Sequence, residues 1–316
     1  MKVAVIGAGY HGLKNIYPSL VENNIEISSV TTRHLEKSKN VIKQYNPNGS
    51  YYDDVKTMLK HDDSKHVVIV TNPCEAFKLC KMCLLENRSV FVEKPLTLTK
   101  SEATEIYNIC KTKELNVQVG FMKRFAPLYQ KIKEIIDKKE LGKLISIQIN
   151  FNVDARMFCL NHKDFIYNVA IHMLDLIYYF VGNYKVASLV ENQGAYFINF
   201  ESDQQVVINL HLENSSAWTS ELESTQLTFS DGYIESRNLD HLEIHKSKQA
   251  NQPWTILSEM NEVFKITNTP ASGTSKDIYL RGFVKELKHF SEANLDYSKD
   301  NLIITKIAED ILSLIP

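Results

Sequence analysis

The sequence predicts an α/β fold in two parts: a doubly wound parallel sheet, then an α+β region built on a large, mainly antiparallel sheet. Three observations predict it. From residue 1 to about 120, short Val/Ile-rich runs alternate with helical patterns. Beyond residue 120 the rhythm changes to long strands that alternate apolar with polar side chains. The turns between these later strands carry hairpin dipeptides, Ser202-Asp203 and Asp231-Gly232.

In the first part the strand-like runs are Lys2–Ile6, Ile25–Thr31, His66–Val70, Ser89–Val92 and Val117–Val119. Near-continuous apolar strands are those buried on both faces of a parallel sheet. Amphipathic helical patterns lie between them, near 12–23, 34–45, 53–60, 74–86 and 100–114. The last opens on a capping box, Thr99-Lys100-Ser101-Glu102, whose hydroxyl and carboxylate satisfy free N–H groups of the first turn. The βαβα alternation predicts the doubly wound sheet. In the second part a helical pattern at about 126–138 precedes strands at 143–153, 185–200, 204–213, 224–230 and 233–246. A strong helix at about 164–181 interrupts them, and helical patterns near 275–293 and 300–314 close the chain. The change of rhythm sets the expected division at 1–120 and 121–316.

Composition narrows the function classes. In 316 residues, 36 Lys and Arg face 38 Asp and Glu, a net charge of −2 without the basic stripe of a nucleic-acid binder. With 44% hydrophobic and 23% charged residues the chain is an ordinary globular one, not a disordered one. The apolar run Val3–Ile6 is shorter than the ~7–15 residues of a secretory leader, and no stretch approaches the ~20 apolar residues of a membrane span. Five scattered cysteines, Cys74, Cys80, Cys83, Cys110 and Cys159, fit reduced thiols and a cytoplasmic location. Cys80 and Cys83 sit in a helical pattern with Phe77, Leu79 and Leu84, which favours core packing over a redox or metal pair, and no metal centre is expected.

Glycine is scarce, 11 of 316, yet three of them form Gly7-Ala8-Gly9-Tyr10-His11-Gly12 directly after the first strand and at the head of a helical pattern. The spacing G-x-G-x-x-G permits a tight turn, close approach of backbone to a pyrophosphate, and close helix–strand packing, with the helix N-terminus facing the phosphates. It predicts a dinucleotide-binding Rossmann sheet. About 20 residues on, an NAD-specific site places an acid on the ribose 2′-hydroxyl. The chain has Val30-Thr31-Thr32-Arg33-His34 there, and Thr32 with Arg33 suits a 2′-phosphate, so NADP(H) is expected over NAD(H).

Glu93-Lys94-Pro95 follows the strand Ser89–Val92 at the carboxyl edge of the sheet, where open α/β folds bind ligands. A lysine there can move a proton to or from a reacting oxygen. Together with the glycine motif, this tripeptide resembles the glucose-fructose oxidoreductase / inositol dehydrogenase / rhizopine-catabolism (Gfo/Idh/MocA) family. Thr71-Asn72-Pro73, the segment Val119-Gly120-Phe121-Met122-Lys123-Arg124-Phe125 with Pro127, and Leu141-Gly142-Lys143-Leu144-Ile145 extend the resemblance over the whole chain.

The resemblance implies hydride transfer between a nicotinamide and an oxygen-bearing carbon, usually of a sugar, cyclitol or nucleotide-linked sugar. It implies Lys94 as proton donor or acceptor, Pro95 fixing its loop, Glu93 orienting loop or ribose, and Thr71, Asn72 and Pro73 lining the cofactor. It also implies a second domain that binds substrate and forms a homo-oligomer, dimer or tetramer, through its sheet. The family's second motif, Asp-x-x-x-His, is here Asn168-Val169-Ala170-Ile171-His172, followed by Asp175. On a helix the first and fifth residues share a face, so Asn168 and His172 point together. His172 can titrate near neutral pH and Asn168 can only hydrogen-bond. Asp175 is expected to fix the imidazole or cap a loop. Before this motif, where relatives have glycines, stands Asp164-Phe165-Ile166-Tyr167, a bulkier lining in which Tyr167 could pack or donate a proton. Arg124, with Arg156 and Lys163, is a candidate for holding an anionic substrate. The expected function is a nicotinamide-dependent reductase or dehydrogenase of a sugar-like carbonyl or alcohol. An imine or other carbonyl reductase, or a non-catalytic nucleotide sensor, stays open.

Overall fold

The computed structural model describes residues 1–246, 261–265, 277–292 and 295–315. They divide into two compact units, Met1–Met122 with Gly282–Lys306, and Lys123–Arg281 with Ile307–Pro316. No helix among the described residues is long and apolar enough to cross a membrane.

In the first unit β1 (Lys2–Ile6), β2 (Glu26–Thr31), β3 (Ser50–Tyr52), β4 (His66–Ile69), β5 (Ser89–Val92) and β6 (Val117–Val119) form one parallel sheet in the order β3-β2-β1-β4-β5-β6. That is the strand order of a dinucleotide-binding Rossmann sheet. Val3, Val5, Val67, Val68, Val90 and Phe91 are fully shielded from solvent, as the apolar runs predict. β3 escaped the sequence reading because it is three residues long, with Ser50 and Tyr51 exposed and no apolar run to mark it.

The helical patterns at 275–293 and 300–314 were assigned by position to the second part. Helices Asp277–Leu280, Phe283–Glu292 and Ser298–Leu314 are found there, while residues 275, 276 and 293 lie outside the described set. Gly282, at φ +97°, separates the first two. Against the expected division at 120, Gly282–Lys306 belongs to the first unit. The physical reason is the edge strand β6. Tyr297 N–H donates to the Val117 carbonyl at 2.8 Å, Val117 N–H donates to Asp296 Oδ1 at 3.2 Å, and the Gln118 amide donates to the Glu286 carbonyl at 2.8 Å. The returning chain thus satisfies backbone groups that an open sheet edge leaves bare.

In the second unit β7 (Leu144–Val153), β8 (Tyr184–Asn192), β9 (Ala195–Ser202), β10 (Val207–Asn214), β11 (Leu222–Phe229), β12 (Gly232–Arg237), β13 (His241–Lys246) and β14 (Asn261–Lys265) form a sheet ordered β14-β13-β12-β11-β7-β10-β9-β8. Only the β7–β10 pair is parallel, and the other pairs are antiparallel. Burial alternates along the strands, with Ile147, Ile149, Ile198, Phe200, Ile208, Leu210, Leu227 and Ile234 on the inner face. The ring of Phe165 stacks on Tyr196 of this face. The run read as one strand at 185–200 is a hairpin turning at Gln193-Gly194, and 233–246 turns at Asn238-Leu239; all four residues have positive φ. Asn238-Leu239 lacks glycine, so this turn left only the weaker signal of Asn238 and Asp240.

Candidate functional site

Four loops leave the carboxyl ends of neighbouring strands in the first unit. Gly7 N–H donates to the Thr31 carbonyl, Val70 to Ile6, Glu93 to Ile69 and Gly120 to Val92, each at 2.8–3.0 Å. These bonds carry the ladder one residue beyond β1, β4, β5 and β6 and hold the loops side by side. The three motif glycines have different causes. Gly7 has φ +100°, and a Cβ there would lie 2.0 Å from the Val70 carbonyl oxygen. At Gly12 a Cβ would meet Val70 Cγ1 at 3.1 Å, so this glycine lets helix and strand approach. A Cβ on Gly9 would meet nothing within 4 Å. No protein atom demands glycine at position 9, which is the position where a pyrophosphate would lie against backbone. The helix behind it opens with a π turn, Gly12–Ile16, a rare geometry found frequently at functional sites.

His11 joins this loop to the lysine loop. Its Nε2 lies 3.1 Å from Glu93 Oε1, and its Nδ1 lies 3.0 Å from Asn15 Nδ2. Glu93 is buried, and a Cβ on Gly120 would come within 2.9 Å of its Oε2. Gly120 therefore makes room for the carboxylate that lies against His11. Lys94 is half-buried and joined to buried Pro95 through a cis peptide bond. The glycine loop and the Glu93-Lys94-Pro95 loop are thus one assembly.

The other expected cofactor residues border it. Ala8 is buried and Tyr10 exposed. Thr32 Oγ1 donates to the His34 carbonyl at 2.9 Å, and Thr32 N–H donates to Ser38 Oγ at 2.8 Å. This fixes the backbone beside exposed Arg33, which forms no ion pair among the described residues. A Cβ on Gly7 would sit 3.1 Å from Thr71 Cγ2, so Thr71 abuts the glycine loop. Asn72 caps the helix Pro73–Leu85 by accepting from Cys74 N–H at 3.0 Å.

In the second unit the helix expected at 164–181 has three parts: a turn at His162–Phe165, a π turn at Ile166–Ala170, and an α-helix at Ile171–Val181. From Phe165 to Ile177 every residue is buried except Asn168 and His172. Asn168 and His172 are thus the two half-exposed residues of the stretch Phe165–Ile177.

Residues 1–121 match the oxidoreductase family with an NAD-binding Rossmann fold. The match is to the Gfo/Idh/MocA model and covers the first 121 of the 316 residues. An inositol 2-dehydrogenase/D-chiro-inositol 3-dehydrogenase of Lactiplantibacillus plantarum is 24% identical over 186 residues, 58% of this chain and 53% of its own. The chain spans about half the length of the curated relatives it matches. A dehydrogenase from Chromobacterium violaceum superposes with a TM-score of 0.86 at 21% identity, covering 99% of this chain and 94% of its own. A 3-ketoreductase from Actinomadura kijaniata, solved with NADP and TDP-benzene, gives 0.77 at 14% identity over 99% and 97%. At these identities the likeness is one of fold.

Two expectations need correction. Tyr167 is 1% exposed, with its ring in the core, so it is a packing residue rather than a proton donor. Arg124 is buried, and its Nε donates to Asp175 Oδ2 at 2.7 Å while Nη2 donates to Oδ1. A guanidinium held in this fork by a buried carboxylate is not presented to an anionic substrate. Asp175, expected as a structural partner, is fully buried and receives Arg124. Arg156 is exposed and pairs with Asp154 at 2.8 Å, and Lys163 is exposed. Cys80 and Cys83 are fully buried, and burial pushes the Cys83 thiol up to about 12.

The sequence reading missed a second buried ionic group. Lys123 Nζ lies 2.5 Å from Glu223 Oε2, and the Tyr129 hydroxyl donates to Glu223 Oε1. Lys123-Arg124 inside the apolar run Phe121–Ala126 was the available signal, because two adjacent cations in a buried segment must find acids.

Proposed function

We propose that this protein is a nicotinamide-dependent oxidoreductase that moves a hydride to or from a sugar-like or nucleotide-sugar carbon, with Lys94 and His172 handling the proton. The observation that carries it is the tie between the dinucleotide loop and the lysine loop through His11 and Glu93. It keeps Lys94 beside the loop expected to hold the cofactor. When bound, the nicotinamide would supply or accept the hydride. Gly7, Gly9 and Gly12 with the helix N-terminus would hold its pyrophosphate, as the free space at Gly9 suits.

Lys94, half-buried at the carboxyl edge of β5, gives a proton to the carbonyl oxygen during reduction and takes it from the hydroxyl during oxidation. His172 and Asn168, both half-exposed, serve as a second proton-handling group and a hydrogen-bonding partner. Thr32 and Arg33 would favour NADP(H), because a guanidinium outside any ion pair among the described residues suits a 2′-phosphate. Similar folds are solved with NADP and with NAD, which supports a nicotinamide cofactor of either kind, and the inositol dehydrogenase supports the substrate class. A homo-oligomer formed through the outer face of the second sheet belongs to the same reading.

Replacing Lys94 with Ala tests it. Turnover of NADPH with a panel of keto-sugars is expected to fall roughly 10²–10⁴-fold, while NADPH still binds in a fluorescence titration. Unchanged turnover would remove Lys94 from the mechanism.

A further inference from the structure

A second group of ligating side chains lies on the outer face of the eight-stranded sheet. Glu235 on β12 stands directly opposite Glu243 on β13, and Tyr233 stands opposite His245 in the same register. Like charges placed directly across an antiparallel pair are destabilising. The Gln226 amide donates to Glu235 Oε1 at 3.1 Å and the His241 and His245 imidazoles lie against Glu243, and a cation between the two carboxylates would relieve their repulsion. One ligand atom from each of Glu235, Glu243 and His245 falls within 4.8 Å of the others.

The surroundings fit a metal better than a chance cluster. His245 Nε2 is shut off from solvent and makes no hydrogen bond, although it lies 3.3 Å from Glu243 Oε2. The Tyr233 ring stacks on the His245 imidazole with centroids 4.2 Å apart, which fixes the orientation of that nitrogen. His241 Nε2 lies 2.6 Å from Glu243 Oε1 and so occupies the other carboxylate oxygen. Hydrogen-bonded ligating carboxylates of this kind are a regular feature of metal sites. A cavity of about 260 Å³ opens among Glu235, Arg237, His241 and Glu243. Arg237 forms no ion pair with either glutamate among the described residues, so the acids are not already neutralised by it.

We propose that Glu235, Glu243 and His245 bind a divalent transition-metal ion, with His241 orienting Glu243. One imidazole and two carboxylates at bond lengths of about 2.0–2.2 Å are a ligand set for zinc or cobalt, with a fourth position left to water. The strands hold the three groups in place before any ion arrives.

Equilibrium dialysis of the full chain against Zn²⁺, with metal analysis, tests the site. Saturable binding is expected in the wild type, weakened at least about tenfold in both Glu243→Gln and His245→Gln. Glu262→Gln, which removes an exposed partner of Lys246 on β14, is expected to bind as the wild type does. Co²⁺ titration of the wild type needs no variant, and tetrahedral absorption without a thiolate charge-transfer band is expected. Absence of saturable binding, a thiolate band, or wild-type affinity in either Glu243→Gln or His245→Gln overturns the proposal. Because the readout is metal content, the outcome is independent of whether the protein turns over NADPH.

Discussion

Gly7 and Gly9 stand two residues apart in one motif, yet different forces act on them. At Gly7 the positive φ and the Val70 carbonyl both forbid a side chain, so Gly7→Ala is expected to destabilise the first unit by about 1–3 kcal/mol, read as a lower melting temperature. At Gly9 there is open space, so Gly9→Ala is expected to leave the melting temperature unchanged while weakening NADPH binding at least about tenfold. A parallel loss of stability at both positions would show that Gly9 is a structural glycine after all. Arg33 offers a charge that the described residues leave unused. Arg33→Ala is expected to weaken NADPH about 10–100-fold and NADH little, since hydrogen bonds to charged groups contribute about 1.5–3 kcal/mol. Equal losses for the two cofactors would end the 2′-phosphate assignment. Both predictions begin with residues visible in the sequence. Only the structure separates the glycine that the protein needs from the one that a ligand needs.

At the scale of elements, the helix with Asn168 and His172 is held by the fork between Arg124 and Asp175. Removing one member of a buried pair leaves an uncompensated charge, which costs about 3–5 kcal/mol. Asp175→Ala is therefore expected to lower stability steeply in chemical denaturation, whereas His172→Ala, at a half-exposed position, lowers turnover with little change in stability. A second device ties β2 to the segment before β4. Although burial opposes ionisation, hydrogen bonds from Ser29, Ser64 and Ser28 hold the Asp62 carboxyl below its ordinary value of 3.8. A carboxyl depressed in the folded state stabilises it fully above the unfolded value, and that stability is lost as pH falls through the folded value. Acid titration of Asp62→Asn is expected to show a weaker loss of stability below about pH 4 than the wild type. The strands were legible because their apolar periods differ between a buried parallel sheet and a one-faced antiparallel one. The π turns were not, since a single residue added to a helical turn leaves the apolar pattern nearly intact.

For the whole molecule, the outer face of the second sheet exposes Val190, Phe197 and Val207, with Phe197 paired across the strands to Val190 and stacked on His211. If this face joins copies of the chain, Phe197→Arg is expected to convert a dimer or tetramer into a monomer by light scattering. An unchanged mass would place the interface elsewhere. The sequence by itself determined the two sheet types and the strand–glycine loop–helix order at the N-terminus, because each rests on local periodicity or a short motif, while Lys94, Asn168 and His172 rest on the resemblance. Only the tertiary structure decided that Gly282–Lys306 returns to cover β6, that Arg124 belongs to Asp175, and that Glu235 faces Glu243. Those three depend on which distant segments meet, and the packing of the folded chain sets that where no local spacing records it.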